Sequence, residues 1–196
     1  MLKVGLTGNM GSGKSTIASI FRCLDVPVYH ADEEAKKMYL REDVMQEAAF
    51  LAGAQILDHH GNLNRQKLAE VAFSDPEILR SLTQLIHPLV CEDFRTWAGQ
   101  FSQLPYLIHE AAIIFESGFR DEYDLVIHVS CPEDIAIERI EKRDKLPLEK
   151  ILQRMQYQLP DSEKASLSDF VIFNDGNTLV IPQVLQIHKE LSERST

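Results

Sequence analysis

Basic charge is what this sequence is short of. Twenty Lys and Arg stand against thirty Asp and Glu, a formal net charge of −10 with His neutral, and no basic stripe breaks the acidic field. A surface of that sign repels a phosphate backbone, which argues against nucleic acid as a partner. Long apolar runs are missing too. None is long enough to span a bilayer, and the apolar start lacks the charged-then-apolar order of a signal peptide, so a cytoplasmic protein without membrane contact is expected. Cysteine is scarce and scattered: Cys23, Cys91 and Cys131 are odd in number and far apart. That spacing suggests neither a disulfide framework nor a zinc cluster and leaves buried, inert thiols as the expectation. With only eight prolines and nine glycines, and no repeat, the chain is not low-complexity. Disorder is expected only over Ser192 to Thr196. What remains is 196 residues at 44% apolar, enough for one α/β domain with a small insertion, as a monomer or weak homo-oligomer.

Against this background one stretch stands out. Gly5 to Thr16 reads GLTGNMGSGKST and fits G-x-x-x-x-G-K-[ST] at Gly8, Gly13, Lys14 and Ser15. It follows a short β-rich run, Leu2 to Leu6, and precedes Ile17, Ala18, Ile20 and Phe21 at helical spacing. Strand, loop and helix in that order make an anion nest. Glycines let successive N–H groups point into one concavity, and the helix beginning near Lys14 adds its positive end. Lys14 supplies charge for the β- and γ-phosphates, Ser15 has the hard oxygen that completes a Mg²⁺ shell, and Thr16 reaches the α-phosphate.

Four more strands are expected, at Val26–His30, Tyr106–Glu110, Leu125–Ser130 and Phe170–Phe173, separated by helical stretches. The alternation predicts a doubly wound parallel sheet whose strand ends face the loop. Helices are expected over Glu33–Leu40, through most of 41–99 with Pro76 and Pro88 as starts or breaks, over Asp134–Arg143 with Arg139 on the outer face, over Pro147–Gln158, and over Leu179–Leu191. Asp32 falls at a strand-to-helix junction, where a carboxylate can take an acceptor proton or cap the helix. Glu110 ends the third strand, placed to hold a Mg²⁺-bound water or the substrate, or simply to be solvated. Arg139, Arg143 and Arg154 flank a polar turn, as lid arginines or as solvated ones. His59 and His60, adjacent in a turn, read as solvated rather than as a metal pair.

A phosphate loop alone does not choose between switch, motor and kinase. No N-K-x-D segment exists to read guanine, and the one D-x-x-G, Asp58 to Gly61, lies in a polar turn. The third strand ends in a single Glu110 where motor ATPases carry Asp or Asp-Glu. A small-molecule kinase is the class left.

The residues also resemble a known family, the dephospho-coenzyme A kinases, over almost the whole chain. LTGNMGSGKST resembles that family's phosphate loop and HADEEAK its proposed catalytic-base segment, which places the base at Asp32. GNLNRQKL resembles its G-x-[IL]-[DN]-R-x-x-L element, LIHPLV its His-Pro pair at His87 and Pro88, RIEKRD and RMQYQ its lid, and SDFVIFNDG its last strand. The resemblance implies a P-loop kinase fold of three layers, α/β/α, with a five-stranded parallel sheet, a helical substrate-binding insertion and a helical lid. Its single domain would have a core of about 1–30, 104–138 and 168–196, an acceptor region of about 33–100 and a lid of about 139–165. It implies ATP and Mg²⁺ as cofactors and dephospho-coenzyme A as substrate. Catalysis falls to Asp32, Lys14 and Arg139. Nucleotide binding falls to Gly8, Gly11, Ser12, Gly13, Lys14, Ser15, Thr16, Arg139, Arg143, Arg154 and Asn174, with Mg²⁺ on Ser15. The acceptor falls to Asp32, Arg65, His87, Glu110, Ile113, Ile114, Phe115, Glu116, Arg154 and Gln158. Two positions depart from the family pattern. His30 stands where D-[AS]-D has its first acid, and Ala112 where [DV]-x-P-L-L-x-E has its proline. A nucleoside monophosphate kinase and a binding protein without catalysis are the alternatives.

Overall fold

The computed structural model describes residues 1–194. They form two compact units, one of Met1–His30 with Gln100 onward and one of Ala31–Gly99.

The first unit is built on five parallel strands, β1 (Leu2–Thr7), β2 (Val28–His30), β3 (Tyr106–Glu110), β4 (Leu125–Ser130) and β5 (Phe170–Phe173), in the order β2-β3-β1-β4-β5. Strand parity sorts the side chains. Val4 and Leu6, Ile108, Ile127 and Val129, and Ile172 face one side, where α1 (Lys14–Cys23) contributes Ile17, Ala18 and Phe21 and α9 (Val180–Arg194) contributes Val184, Ile187 and Leu191. On the other side lie Gly5, Val126 and His128, covered by Ile114 and Tyr123 of the segment after β3 and by α8 (Asp161–Leu167). α6 (Glu133–Asp144) and α7 (Leu148–Met155) pack on each other. Parallel order puts every strand's C-terminal end at one edge, and the chain crosses over at β1, where the phosphate loop leaves.

The second unit is helical: α2 (Ala31–Met38), α3 (Glu42–Ala52), α4 (Arg65–Ser74) and α5 (Pro76–Ala98). Its core gathers Ala48, Ala52, Ile56, Leu68, Ala72 and Leu82.

Several expectations need correction. β2 begins at Val28, two residues late, and α2 begins at Ala31, so Asp32 lies inside the first turn. Pro88 neither starts nor breaks a helix; it is exposed inside α5, while Leu82, Ile86, Val90, Phe94 and Ala98 keep one buried ridge running past it. α8 was not expected from the sequence. Ser192–Arg194 continues α9 instead of being disordered, and Ser195 and Thr196 lie outside the described residues. Of the three thiols only Cys131 is buried; Cys23 is exposed and Cys91 half-buried. No helix among the described residues is long and apolar enough to cross a membrane.

Candidate active site

β1 ends at Thr7 and the chain turns through Gly8–Gly13 into α1. Gly11 and Gly13 adopt φ of 81° and 92°, a left-handed region that costs any residue with a Cβ. Space is closed as well. A Cβ on Gly11 would stand 2.5 Å from the carbonyl oxygen of Ala136, and one on Gly13 would strike Asn174 Nδ2. These contacts press the loop against α6 and the end of β5.

The loop's outer carbonyls are held from behind. Asn174 Nδ2 donates to Ser12 O at 2.7 Å, and Arg139 reaches Asn174 Oδ1 at 3.4 Å and the carbonyls of Gly11 and Ser12 at 3.5 Å. Arg139 is therefore turned inward, not on the outer face of its helix. Its guanidinium also lies 3.3 Å from Cys131 Sγ; burial pushes that thiol up and the Arg139 charge works against the rise. Lys14 is buried, its ammonium donating to Gly8 O at 3.0 Å and reaching Asn9 O at 3.5 Å. Ser15 and Thr16 are exposed in the first turn of α1, where the Thr16 N–H donates to Gly13 O at 3.0 Å.

The loop fits a polyphosphate and its metal. Ser12 Oγ is buried with no hydrogen-bond partner among the described residues, a donor available to a phosphate oxygen. No group of three or more His, Cys, Asp or Glu side chains converges among those residues. A Mg²⁺ at Ser15 would then take its other ligands from phosphate oxygens and water, as this ion commonly does.

At the neighbouring strand ends, His30 and Glu110 are register partners in β2 and β3. His30 Nδ1 and Glu110 Oε2 are 2.7 Å apart, with the carboxylate nearly buried. One oxygen of Glu110 is thus already engaged, by the residue that departs from the family pattern. Beyond β3, Ile113 is exposed and Phe115 partly buried, whereas Ile114 packs with Tyr123 and Val126 in the core. Ile114 is thus a core residue and not an open lining one. Glu116 is paired with Lys164 at 2.6 Å, and Gln158 Oε1 accepts from the Met10 N–H at 2.8 Å, so Gln158 touches the phosphate loop itself. Arg143 is exposed and forks onto Asp144 at 2.7 and 2.8 Å. That hydrogen bonding, with the charges of Arg143 and half-buried Arg154, holds the Asp144 carboxyl below its usual range against a burial effect.

The helical unit carries the remaining expected residues. Asp32 is exposed in the acidic first turn of α2. Arg65 opens α4, whose cap Asn64 accepts from Lys67 N–H at 3.1 Å. His87 Nδ1 lies 3.3 Å from Cys91 Sγ one turn along α5.

Sequence reasoning missed two polar groups of the sheet unit. His128 is fully buried, its Nε2 2.9 Å from Asp161 Oδ1, and Ser130 Oγ donates to Asp161 Oδ2 at 2.6 Å. Burial acts to raise the Asp161 carboxyl, but the bonds from His128 and Ser130 outweigh it and hold it low. Lys164 is the other, fully buried. Neither belongs to a spacing pattern; the parity of β4 was the only available signal, and it marks His128 alone.

Comparison with known proteins agrees with the geometry. The family model described as dephospho-CoA kinase matches residues 2–179. Proteins named dephospho-CoA kinase from Bacteroides fragilis and Aquifex aeolicus are 38% and 35% identical, over 95% and 98% of this chain and 91% and 98% of their own. A crystal structure from Thermus thermophilus superposes with a TM-score of 0.85 at 29% identity, covering 96% of each chain. A dephospho-CoA kinase from Campylobacter jejuni shares the fold, with a TM-score of 0.70 at 24% identity over 99% of this chain and 98% of that one. With its phosphate loop braced by Arg139 and Asn174 and its match running through 178 of 196 positions, from 2 to 179, the chain belongs to the dephospho-CoA kinase family.

Proposed function

We propose that this protein transfers the γ-phosphoryl group of Mg-ATP to the ribose 3′-hydroxyl of dephospho-coenzyme A, giving ADP and coenzyme A, in the cytoplasm. The carrying observation is the braced phosphate loop in a chain that matches the family along nearly its whole length.

Each residue's part follows from its chemistry. Little covalent work falls to the protein in phosphoryl transfer; positioning and charge stabilisation are what it supplies. The N–H groups of Gly11 to Thr16 and the Ser12 hydroxyl bind phosphate oxygens. Lys14 exchanges its two loop carbonyls for the β- and γ-phosphates, and Ser15 holds Mg²⁺. Arg139, Arg143 and Arg154 counter negative charge as water is excluded, and Asn174 fixes the loop on its nucleotide side. Asp32 receives or directs the acceptor's hydroxyl proton. Arg65, His87, Ile113 and Phe115 bind the rest of the acceptor, and Glu110 and Glu116 shape its approach.

ADP release from Mg-ATP by the purified protein tests this, with dephospho-coenzyme A, AMP, CMP, UMP or no acceptor. Release with dephospho-coenzyme A alone, lost in Lys14→Ala, is the expected result. Release with a monophosphate instead overturns the acceptor, and ATP binding without release in any arm overturns the catalytic reading.

A further inference from the structure

α8 is a seven-residue helix whose only buried residue is a lysine. Lys164 is 0% exposed. Burying an ammonium strips away its hydration, a cost that persists after relaxation, and a methionine of similar length would fill the space without it. Burial depresses the Lys164 ammonium's affinity for its proton, opposed by Glu116 and Asp161. The contacts of that ammonium show where the compensation lies.

Two polar routes start from it. The ammonium lies 2.6 Å from Glu116 Oε1; the same oxygen accepts from the Leu159 N–H at 3.0 Å, and Leu159 O accepts from Asn9 Nδ2 at 3.1 Å. The ammonium also donates to Ala112 O at 2.9 Å. That carbonyl lies 3.5 Å from Gln158 Nε2 and 3.4 Å from Thr7 Oγ1, and Gln158 Oε1 takes the Met10 N–H at 2.8 Å. Both routes end on adjacent residues of the phosphate loop, Asn9 and Met10. The opposite flank of the loop is the one held by Arg139 and Asn174.

We propose that Lys164 is a positioning residue for nucleotide binding: through Glu116 and Ala112 it fixes the Gln158–Leu159 segment, which fixes the leading half of the phosphate loop. Lys164 touches no part of the loop itself. Its effect passes through Gln158 and Leu159, and it ties the loop to the 111–116 segment beyond β3, so that both ends of the reaction rest on one buried cation. The inference rests on reading Gly8–Thr16 as the ATP-phosphate loop.

The test is the Kd of a fluorescent ATP analogue with Mg²⁺, measured without acceptor, at a temperature where circular dichroism shows each variant folded. Global stability does not move the Kd of a folded protein, so a merely structural role leaves it unchanged. Lys164→Met should raise Kd about tenfold or more, the size of one lost hydrogen bond to a charged group, and Gln158→Leu, which loses neutral ones, about three- to tenfold. The double variant should fall well short of the product of the two, because Gln158 lies on one of the two routes that start from Lys164. Lys164→Arg should stay within about threefold of the original, since it keeps the charge and its bonds to Glu116 and Ala112. Unchanged Kd in folded Lys164→Met overturns the proposal, as does full multiplicativity in the double variant. If Lys164→Met does not fold, Gln158→Leu decides: Kd within twofold of the original overturns it. Because acceptor is absent, these outcomes are independent of whether dephospho-coenzyme A is the substrate.

Discussion

At the scale of single residues, the phosphate loop tolerates least at Gly11. Its positive φ and the Ala136 carbonyl 2.5 Å from any added Cβ act together, and the neighbour is backbone that cannot swing aside. Gly11→Ala should lower stability by about 1–3 kcal/mol and weaken ATP binding, read by urea unfolding and nucleotide titration. Asp32 is exposed and makes no demand on packing, so Asp32→Asn should leave unfolding unchanged and cut turnover about 10²–10⁴-fold, the range for a proton-transfer group, with ATP affinity intact. Turnover within a factor of two of the original would remove it from the mechanism. His30 is where sequence reading reached its limit. Loss of the family's first acid is plain in the sequence, but the partner 80 positions away, Glu110, becomes visible only once β2 and β3 are in register. His30→Ala leaves that carboxylate nearly buried without its donor, and a loss of about 1–3 kcal/mol in urea unfolding is expected.

Among elements, the strands were legible because short β-rich runs ended at turn residues; β3, β4 and β5 have the bounds the sequence suggests. Helices were legible where apolar periodicity was strong. α8 carries no such periodicity, since Asp161-Ser-Glu-Lys-Ala-Ser-Leu167 buries only an ammonium, and a polar helix held by one buried ion pair and hydrogen bonds gives no hydrophobic pattern to read. Pro88 misled for the opposite reason: local propensity against a helix is overridden by the apolar ridge of α5. The contact of α8 with β4 has a pH signature. Asp161 has its carboxyl pKa lowered in the fold, so its contribution is present above the unfolded value of about 3.9 and is lost as pH falls through the folded one. Asp161→Asn should therefore flatten the acid limb of a stability-against-pH curve below about pH 4, measured by thermal melts.

For the whole molecule, the chain leaves the sheet unit after His30 and returns at Gln100, so the helical unit is an insertion within a nucleotide-binding scaffold. Nucleotide bound to the loop stabilises the unit that holds it. Hydrogen exchange with saturating Mg-ATP should slow chiefly in 1–30 and 100–194, with 31–99 following only when acceptor is added; equal protection of both units by nucleotide alone would contradict that division. The division also has a practical side. Cys23 is an exposed thiol at the end of α1 in one unit, Cys131 is shielded, and Trp97 in α5 of the other is the sole indole in the chain. With Cys91 replaced by serine, a dye attached to Cys23 marks the sheet unit while the indole of Trp97 marks the helical one. Two colours in one molecule then report separately which unit responds to nucleotide and which to acceptor.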